Sequence, residues 1–204
     1  MHETPSPLYI FGYGSLCWKA DFAYEDAFVG TVTGWKRVFA QLSCDHRGTP
    51  QAPGLVATLI SDSDYTTAAA AAAAMPIEPP SAVTGVCYRV ADEHAKEVLD
   101  GLDFRERGGY SRSVIEVSPA VVGGGGGSPV RALLYTATVE NPNFSARYVV
   151  DVEGAAGIIA RSVGPSGANS EYLFELHDWL VGVGARDAYL ESLVSKTRAA
   201  RVDL

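Results

Sequence analysis

The 204-residue sequence predicts an α+β fold whose strands pair into a mostly antiparallel or mixed sheet that can close into a barrel. Two observations support this prediction. Segments rich in Val, Ile, Tyr, Phe and Thr fill most of the first two-thirds of the chain, whereas helical periodicity dominates the last third. Strands followed by helices, with few helical crossovers between the strands, are typical of α+β proteins rather than of a parallel α/β sheet.

Six segments have the composition of strands, and turn-forming stretches such as RGTPQAPG and ENPN separate several of them. The six are Leu8 to Phe11, Val29 to Leu42, Gly54 to Ile60, Val83 to Val90, Tyr110 to Val117 and Val130 to Thr138. Gly34 can break the second segment into two strands. One helix interrupts the series, because the apolar residues of DEHAKEVLDGLDF follow helical spacing and Asp92 can cap the first turn.

Helical spacing of apolar residues predicts three helices in the last third. The first ends at GPSG, residues 164–167, the second runs through NSEYLFELHDWL, and the third begins near Asp187. Their apolar stripes are Tyr148, Val149, Val152, Ala156 and Ile159; Leu173, Leu176 and Leu180; and Leu190, Leu193, Val194 and Thr197.

Two low-complexity stretches interrupt this pattern. Residues 61–82 include seven consecutive alanines, and residues 119–129 include five consecutive glycines. The alanines could form a short helix, but nothing gives such a helix an apolar face, and the glycines are typical of a flexible hairpin tip. We interpret both stretches as loop insertions in a single domain that covers residues 8–204.

Composition excludes several classes of function. The formal net charge is -8, and no run of Lys and Arg provides the basic face that a nucleic-acid or membrane-surface partner needs. Three cysteines without CxxC spacing favour neither a disulfide framework nor a zinc site. No stretch reaches the roughly 20 apolar residues of a membrane span, and MHETPSP has no signal-peptide core, so we expect a cytoplasmic protein.

The stretch YIFGYGSLCW, residues 9–18, contains two glycines that a strand does not favour. Backbone N–H groups around Gly12 and Gly14 can converge on an anion, the absent side chains let a ligand approach, and Ser15 adds a hydroxyl. The alternative is a glycine bulge in a sheet, with Ser15 capping a turn. The stretch is neither a dinucleotide-binding fingerprint nor the GxSxG elbow of a serine hydrolase.

Glu106 is the candidate acid of the chain. It lies in LDFRERGGY, residues 102–110, which leaves the predicted helix and enters a strand through two glycines. Burial at this corner would raise the pKa of a carboxyl group, whereas Arg105 and Arg107 would lower it. The alternative is a solvated charged turn in which Asp103 closes the helix.

The stretch SCDHRGTP, residues 43–50, contains Cys44 and His46, one candidate for a thiol–imidazole pair. Adjacent side chains on an extended chain point to opposite faces, which favours polar residues that fix a turn, or Arg47 as a contact to a carboxylate. We interpret three aromatic residues as part of the core: Trp35, Phe39 and Trp179.

Together these stretches resemble the ChaC family, the glutathione-specific γ-glutamylcyclotransferases. The resemblance covers most of the chain from Leu8 to about Leu176 and rests on the order and spacing of several motifs. They are FGYGSLCW with KADFAYEDAFVG, DHRGTPQAPGLVATL, GVCYRV, LDFRERGGY, LLYTAT with NPNF, and AAGIIARSVGPSGANSEYLFEL. The departures are Cys17 and Cys44, where the family has an aliphatic residue and a threonine, and the two insertions.

The resemblance implies a γ-glutamylcyclotransferase-like mixed β-barrel with flanking helices. It also implies cleavage of glutathione into 5-oxoproline and Cys-Gly by attack of the substrate's α-amine on its γ-carbonyl, with no metal or organic cofactor. Glu106 would be the catalytic acid–base residue. The residues implied to bind the substrate are Ile10, Phe11, Gly12, Tyr13, Gly14, Ser15, Leu16 and Tyr172.

Three alternatives stay open on the sequence. A cyclotransferase of the same fold could act on other γ-glutamyl amines or γ-glutamyl amino acids, although DHRG and LDFRERGGY resemble the glutathione-acting branch. A non-catalytic module could bind intact glutathione, although such a site gains little from a tuned base at Glu106. A thiol enzyme could use Cys44 and His46.

Overall fold

The computed structural model describes residues 7–70, 78–105, 110–120 and 127–202. The strands in these ranges are β1 Leu8–Gly12, β2 Asp26–Thr33, β3 Trp35–Ser43, β4 Gly54–Ser61, β5 Ala82–Val90, β6 Tyr110–Pro119, β7 Val130–Ala137, β8 Val163–Gly164 and β9 Gly167–Ala168. Five of them close a barrel in the order β1-β5-β2-β6-β7. Because β1 pairs in parallel with β7 and the other barrel pairs are antiparallel, the predicted mixed barrel is confirmed.

A separate two-stranded sheet contains β3 and β4. Gly34 separates β2 from β3 with a φ of 78°, a conformation that favours glycine, so the strand breaks where the sequence allowed it. β3 is buried on both faces, because Phe39 packs into the main core whereas Val38 packs with Tyr65. The sequence pattern did not distinguish this sheet from the barrel strands.

The helices in the described ranges are α1 Asp62–Ala70, α2 Ala95–Arg105, α3 Ala146–Val150, α4 Val152–Arg161, α5 Asn169–Gly182 and α6 Ala188–Val202. Three of them, α2, α5 and α6, match predicted helices. α1 occupies the start of a stretch that we interpreted as a loop, and it buries Tyr65. Part of the alanine run and most of the glycine run lie outside the described residues. Within the described ranges, the helices are too short or too polar to span a bilayer.

The apolar stripe from Tyr148 to Ile159, predicted as one helix, belongs to two helices. Asp151 separates α3 from α4, with backbone angles outside the helical region. Its carboxylate accepts a hydrogen bond from the N–H of Gly154 at 2.8 Å and so caps α4. The turn at residues 164–167 joins β8 to β9, and α4 has already ended at Arg161.

Two of the three clusters of buried apolar residues link the barrel to the helices. The main cluster joins the barrel strands to α4, α5 and α6. The second cluster packs Val98 and Leu102 of α2 against Leu8 and Ile10 of β1 and Leu133 of β7. The helix that precedes Glu106 is therefore anchored directly on two barrel strands.

The strand directions bring two important segments to one end of the barrel. β7 runs parallel to β1, with Ile10 opposite Leu133, and antiparallel to β6, with Tyr110 opposite Ala137. The end of β1 at Gly12 and the start of β6 at Tyr110 consequently lie at the same end of the barrel.

Candidate functional site

The chain turns sharply immediately after β1. Tyr13 and Gly14 lead from the strand into one turn of 3-10 helix, Ser15–Cys17. The carbonyl oxygen of Gly14 accepts a hydrogen bond from the N–H of Cys17 at 2.9 Å. We call residues 12–17 the glycine loop. The loop is a compact turn beyond the end of the strand, not a bulge within the sheet.

Both glycines of the loop occupy positions where a side chain would collide with the protein. A Cβ added to Gly12 would lie 2.5 Å from the Cβ of Leu16, and one added to Gly14 would lie 2.6 Å from the hydroxyl oxygen of Tyr172. Both distances are far shorter than an ordinary van der Waals contact. The glycines are therefore required by the packing of the loop itself, on Leu16 and on α5.

Three side chains anchor the glycine loop. The hydroxyl of Tyr13 donates to the carbonyl of Tyr135 at 2.8 Å, and Nε of Arg37 donates to the carbonyl of Tyr13 at 3.1 Å. The hydroxyl of Tyr88 donates to the carbonyl of Leu16 at 2.5 Å. Burial raises the pKa of Tyr88 to about 12, so this hydroxyl keeps its proton and remains a donor near neutral pH.

Tyr172 is the residue of α5 that meets the glycine loop at Gly14. Only 6% of Tyr172 is exposed. Its ring makes edge-to-face contacts with Trp18 at 5.4 Å and with Phe39 at 5.8 Å between centroids, and the guanidinium carbon of Arg47 lies 5.9 Å from the ring centroid. These contacts fix the direction in which the phenol points.

The first residue of α5 is held by a pair of hydrogen bonds. Asn169 is completely buried, and its amide group donates to the carbonyl of Leu55 at 2.8 Å and accepts from the N–H of Leu55 at 2.7 Å. The side chain therefore replaces a strand partner for β4, and this pairing sets the position of Tyr172 one helical turn later.

Arg47 connects the segment before β4 to the same helix. Its Nη1 donates to the carbonyl of Ala168 at 2.9 Å and lies 3.4 Å from the carboxylate of Glu171, while Nη2 lies 3.7 Å from Glu175. The contact to a carboxylate that the sequence predicted for Arg47 is thus made to α5.

The other residues implied to bind the substrate differ in where their side chains lie. The side chain of Ile10 packs in the cluster under α2, and that of Phe11 packs in the main core, so neither is available to a ligand. Ser15 and Leu16 are half-buried in the glycine loop. The structure therefore brings this loop together with Tyr172, whereas Ile10 and Phe11 are strand residues paired with β5, and their part in binding stays a prediction.

A hydrogen-bonded group lies at the end of α2. The hydroxyl of Tyr135 donates to Asp103 at 2.7 Å, and Nη1 of Arg112 on β6 lies 3.7 Å from the same carboxylate. Burial, reinforced by the hydrogen bond to Asp103, raises the pKa of Tyr135, so the phenol stays protonated. Glu106 itself lies outside the described residues, and its role stays a prediction.

Two of the three cysteines, Cys17 and Cys87, are buried and poorly suited to act as nucleophiles. Burial raises the pKa of Cys17 to about 12, although nearby Arg37 opposes the shift, and burial also raises the pKa of Cys87 to about 12. The side chain of His46 is 64% exposed. Among the contacts of residues 7–70, none joins the imidazole of His46 to the thiol of Cys44, so the geometry gives no support to a thiol enzyme.

Sequence reasoning missed the buried ion pair between Arg37 and Asp187, whose charged groups lie 3.4 Å apart. Arg37 is 1% exposed and Asp187 is 6% exposed. One signal was available, because WKRVFAQL places two cations inside an otherwise strand-like run. The anchoring roles of Tyr88 and Tyr135 left no local signal, because each is an ordinary strand residue by composition.

Comparison with known proteins gives consistent matches along the chain. A family model described as ChaC-like protein matches residues 8–200. Glutathione-specific gamma-glutamylcyclotransferase 1 of Rattus norvegicus is 38% identical over 194 residues, which cover 93% of this chain and 78% of the relative. Glutathione-specific gamma-glutamylcyclotransferase of Saccharomyces cerevisiae is 36% identical over 206 residues, which cover 88% of both. A crystal structure of the yeast cyclotransferase specific to glutathione matches with a TM-score of 0.84 and 30% identity, covering 97% of this chain and 98% of that one.

Proposed function

Because the chain belongs to the ChaC-like protein family, we propose that it is a glutathione-specific γ-glutamylcyclotransferase. In this reaction glutathione is cleaved into 5-oxoproline and Cys-Gly. Relatives from rat and yeast that carry this name are 38% and 36% identical over most of the chain, which supports transfer of the activity.

One structural observation gives the proposal its strongest support. The glycine loop meets Tyr172 at the end of the barrel where β6 begins, and the segment that joins α2 to β6 contains Glu106. A ligand held by the glycine loop would thus lie at the end of the barrel where α2 is connected to β6, the connection to which Glu106 belongs. This arrangement supports an acid–base reaction on a molecule held by the loop.

Glu106 is the proposed acid–base residue. As a carboxylate, it accepts a proton from the α-ammonium group of the glutamyl part of glutathione. The freed amine attacks the γ-carbonyl carbon, a C–N bond closes the five-membered ring, and the carbonyl electrons move onto oxygen. When these electrons return, the bond to the Cys-Gly nitrogen breaks, and that nitrogen takes the proton back from Glu106. The ring nitrogen, still cationic after the attack, loses its second proton as it becomes an amide nitrogen, and this proton converts the Cys-Gly amine into its ammonium form. Water does not enter the reaction.

The backbone of residues 10–16 is the proposed binding segment. N–H groups around Gly12 and Gly14 would donate to the oxygen on which negative charge develops, the interaction that contributes most in acyl-transfer sites. Tyr172, fixed beside Gly14, would line the same place. Because nucleophile and electrophile belong to one molecule, holding the glutamyl chain folded supplies much of the rate.

The proposed substrate is a small molecule, and we propose no nucleic-acid or membrane partner. The net charge of -8 opposes binding to anionic polymers and surfaces. We further propose that the reaction takes place in the cytoplasm and that residues 8–204 form one domain with insertions near 61–82 and 119–129.

The experiment is incubation of the purified chain with glutathione, followed by mass analysis. We expect equimolar 5-oxoproline and Cys-Gly. A parallel incubation with γ-glutamyl-alanine distinguishes the related activity, because faster release of 5-oxoproline from that compound would favour a cyclotransferase for γ-glutamyl amino acids. Stoichiometric binding of intact glutathione without product would favour a binding module and contradict the proposal.

A further inference from the structure

Arg37 is a fully buried cation that contacts the glycine loop at the carbonyl of Tyr13. Its guanidinium group has three partners from three segments: Nε donates to the carbonyl of Tyr13 at 3.1 Å, Nη2 donates to the carbonyl of Thr84 at 2.5 Å, and Nη1 lies 3.4 Å from Asp187. Burying a charge is costly unless it is paired and hydrogen-bonded, and here each of the three guanidinium nitrogens has a partner.

Asp187 fixes this group from the C-terminal part of the chain. One carboxylate oxygen accepts a hydrogen bond from the N–H of Leu190 at 3.0 Å at the start of α6, and the other oxygen faces Arg37. Because a guanidinium is planar and rigid, holding Nη1 and Nη2 also sets the direction of Nε. The position of the Tyr13 carbonyl is therefore determined by α6 and β5, not by the loop alone.

The hydrogen bond from Arg37 to the carbonyl of Tyr13 also sets the direction of the next N–H group in the chain, that of Gly14. In a planar trans peptide the C=O of Tyr13 and the N–H of Gly14 point in opposite directions. Because the carbonyl points at Arg37, the N–H of Gly14 points away from the buried ion pair. A cation at the carbonyl oxygen also polarises the peptide, which strengthens the N–H as a donor.

We infer that Arg37, held by Asp187, is a positioning residue that orients the Tyr13–Gly14 peptide so that the N–H of Gly14 donates to the γ-carbonyl oxygen of the substrate. This inference rests on the proposed function. It adds Arg37 as the residue that directs a loop N–H group toward the oxygen on which negative charge develops. Arg37 takes no part in proton transfer and contacts no reacting atom.

The test compares the wild type with Arg37→Met/Asp187→Asn. The double variant removes both buried charges and retains a side-chain oxygen that can accept from the N–H of Leu190, so neither charge is left unpaired. Activity is measured as 5-oxoproline released from glutathione, below the melting temperature of each protein. Affinity is measured with glutaryl-Cys-Gly, which lacks the attacking amine and cannot cyclise.

We expect kcat to fall about tenfold or more, because a misdirected oxyanion donor costs most in the transition state. The affinity for glutaryl-Cys-Gly is expected to change much less than kcat. Arg37→Lys keeps the charge but lacks the planar fork, and it is expected to lose kcat as well. Should the double variant fail to fold, this single variant decides the question.

Lys36 provides a matched control on the same strand. It is 3% exposed, and its ammonium donates to Pro79 at 2.9 Å and to Ser81 at 2.8 Å, contacts that do not involve the glycine loop. Lys36→Met should lower the melting temperature and leave kcat unchanged.

Two results overturn the inference: kcat of the Arg37 variants within twofold of an active wild type, or an equal loss of kcat in Lys36→Met. A wild type that releases no 5-oxoproline refutes the proposed function instead, so the two failures are distinguishable.

Discussion

The α-carbon of Gly14 faces the phenol of Tyr172 so closely that an added Cβ would lie 2.6 Å from its hydroxyl oxygen and 3.8 Å from the ring carbon that carries it. The collision thus involves one atom. The ring is wedged between Trp18 and Phe39, so it cannot easily withdraw. The glycine loop and α5 are therefore complementary in shape at this contact. Substitutions that add or remove a single heavy atom can test the fit.

Gly14→Ala should destabilise the fold, and Tyr172→Phe should relieve that effect. Overpacking in a closed site costs about 1–3 kcal/mol, and each kcal/mol corresponds to roughly 2–4 °C in melting temperature for a chain of this size. Without the hydroxyl, the added methyl group would make an ordinary contact of 3.8 Å with the ring. A double-mutant cycle of free energies of unfolding measures the coupling. Equal costs of Gly14→Ala in both backgrounds would show that the two positions do not meet.

Iodoacetamide should label Cys44 and spare the other two cysteines. With a pKa of about 12, the thiolate fraction of Cys17 or Cys87 near pH 8 is on the order of 10⁻⁴, and both thiols are buried. Labelled protein and Cys44→Ser should both keep the release of 5-oxoproline, which mass analysis of peptides and products measures together. Loss of activity in Cys44→Ser would restore the thiol-enzyme alternative.

The cap of α4 should make stability depend on pH. The hydrogen bond from Gly154, together with Arg147, lowers the pKa of Asp151 below its usual range. A carboxyl group whose folded pKa is lowered stabilises the fold above its unfolded pKa of about 3.9, and this contribution is lost as the pH falls through the folded value. Asp151→Asn retains a capping oxygen but does not titrate.

Urea unfolding from about pH 7 to about pH 3 compares Asp151→Asn with the wild type. We expect the wild type to be more stable near neutral pH by about 1 kcal/mol or less, with the difference shrinking below about pH 4. A difference that does not vary with pH would mean that the charge of Asp151 contributes nothing to the cap.

Local patterns predicted the seven longer strands and most helices, because the spacing of apolar residues within one element is enough to identify it. They failed between α3 and α4, because the same helical spacing continues across Asp151 although Val149 packs with Val38 and Ala156 packs in the main core. The break depends on the Asp151 side chain, whose carboxylate accepts from the N–H of Gly154 and so begins α4 as a separate helix. Periodicity reports that a face is buried, not which neighbour buries it.

In the candidate site too, residues within a motif were identified from the sequence, whereas a residue with distant partners was missed. The resemblance to the ChaC family implied the glycine loop and Tyr172 as binding residues, and the structure brings Gly14 and Tyr172 together. Arg37 was missed because a buried cation can be assigned only when its partners are known, and Asp187 lies 150 residues further along the chain. Long-range pairings of this kind leave no periodic signal.

The most direct test of the account is the release of 5-oxoproline from glutathione by Glu106→Gln. Glu97→Gln, an exposed change on α2, is the matched control, and circular dichroism confirms that both variants are folded. If Glu106 transfers the proton, its variant should lose about a hundredfold or more of the wild-type rate while Glu97→Gln keeps that rate. Release by folded Glu106→Gln at nearly the wild-type rate would contradict the central claim.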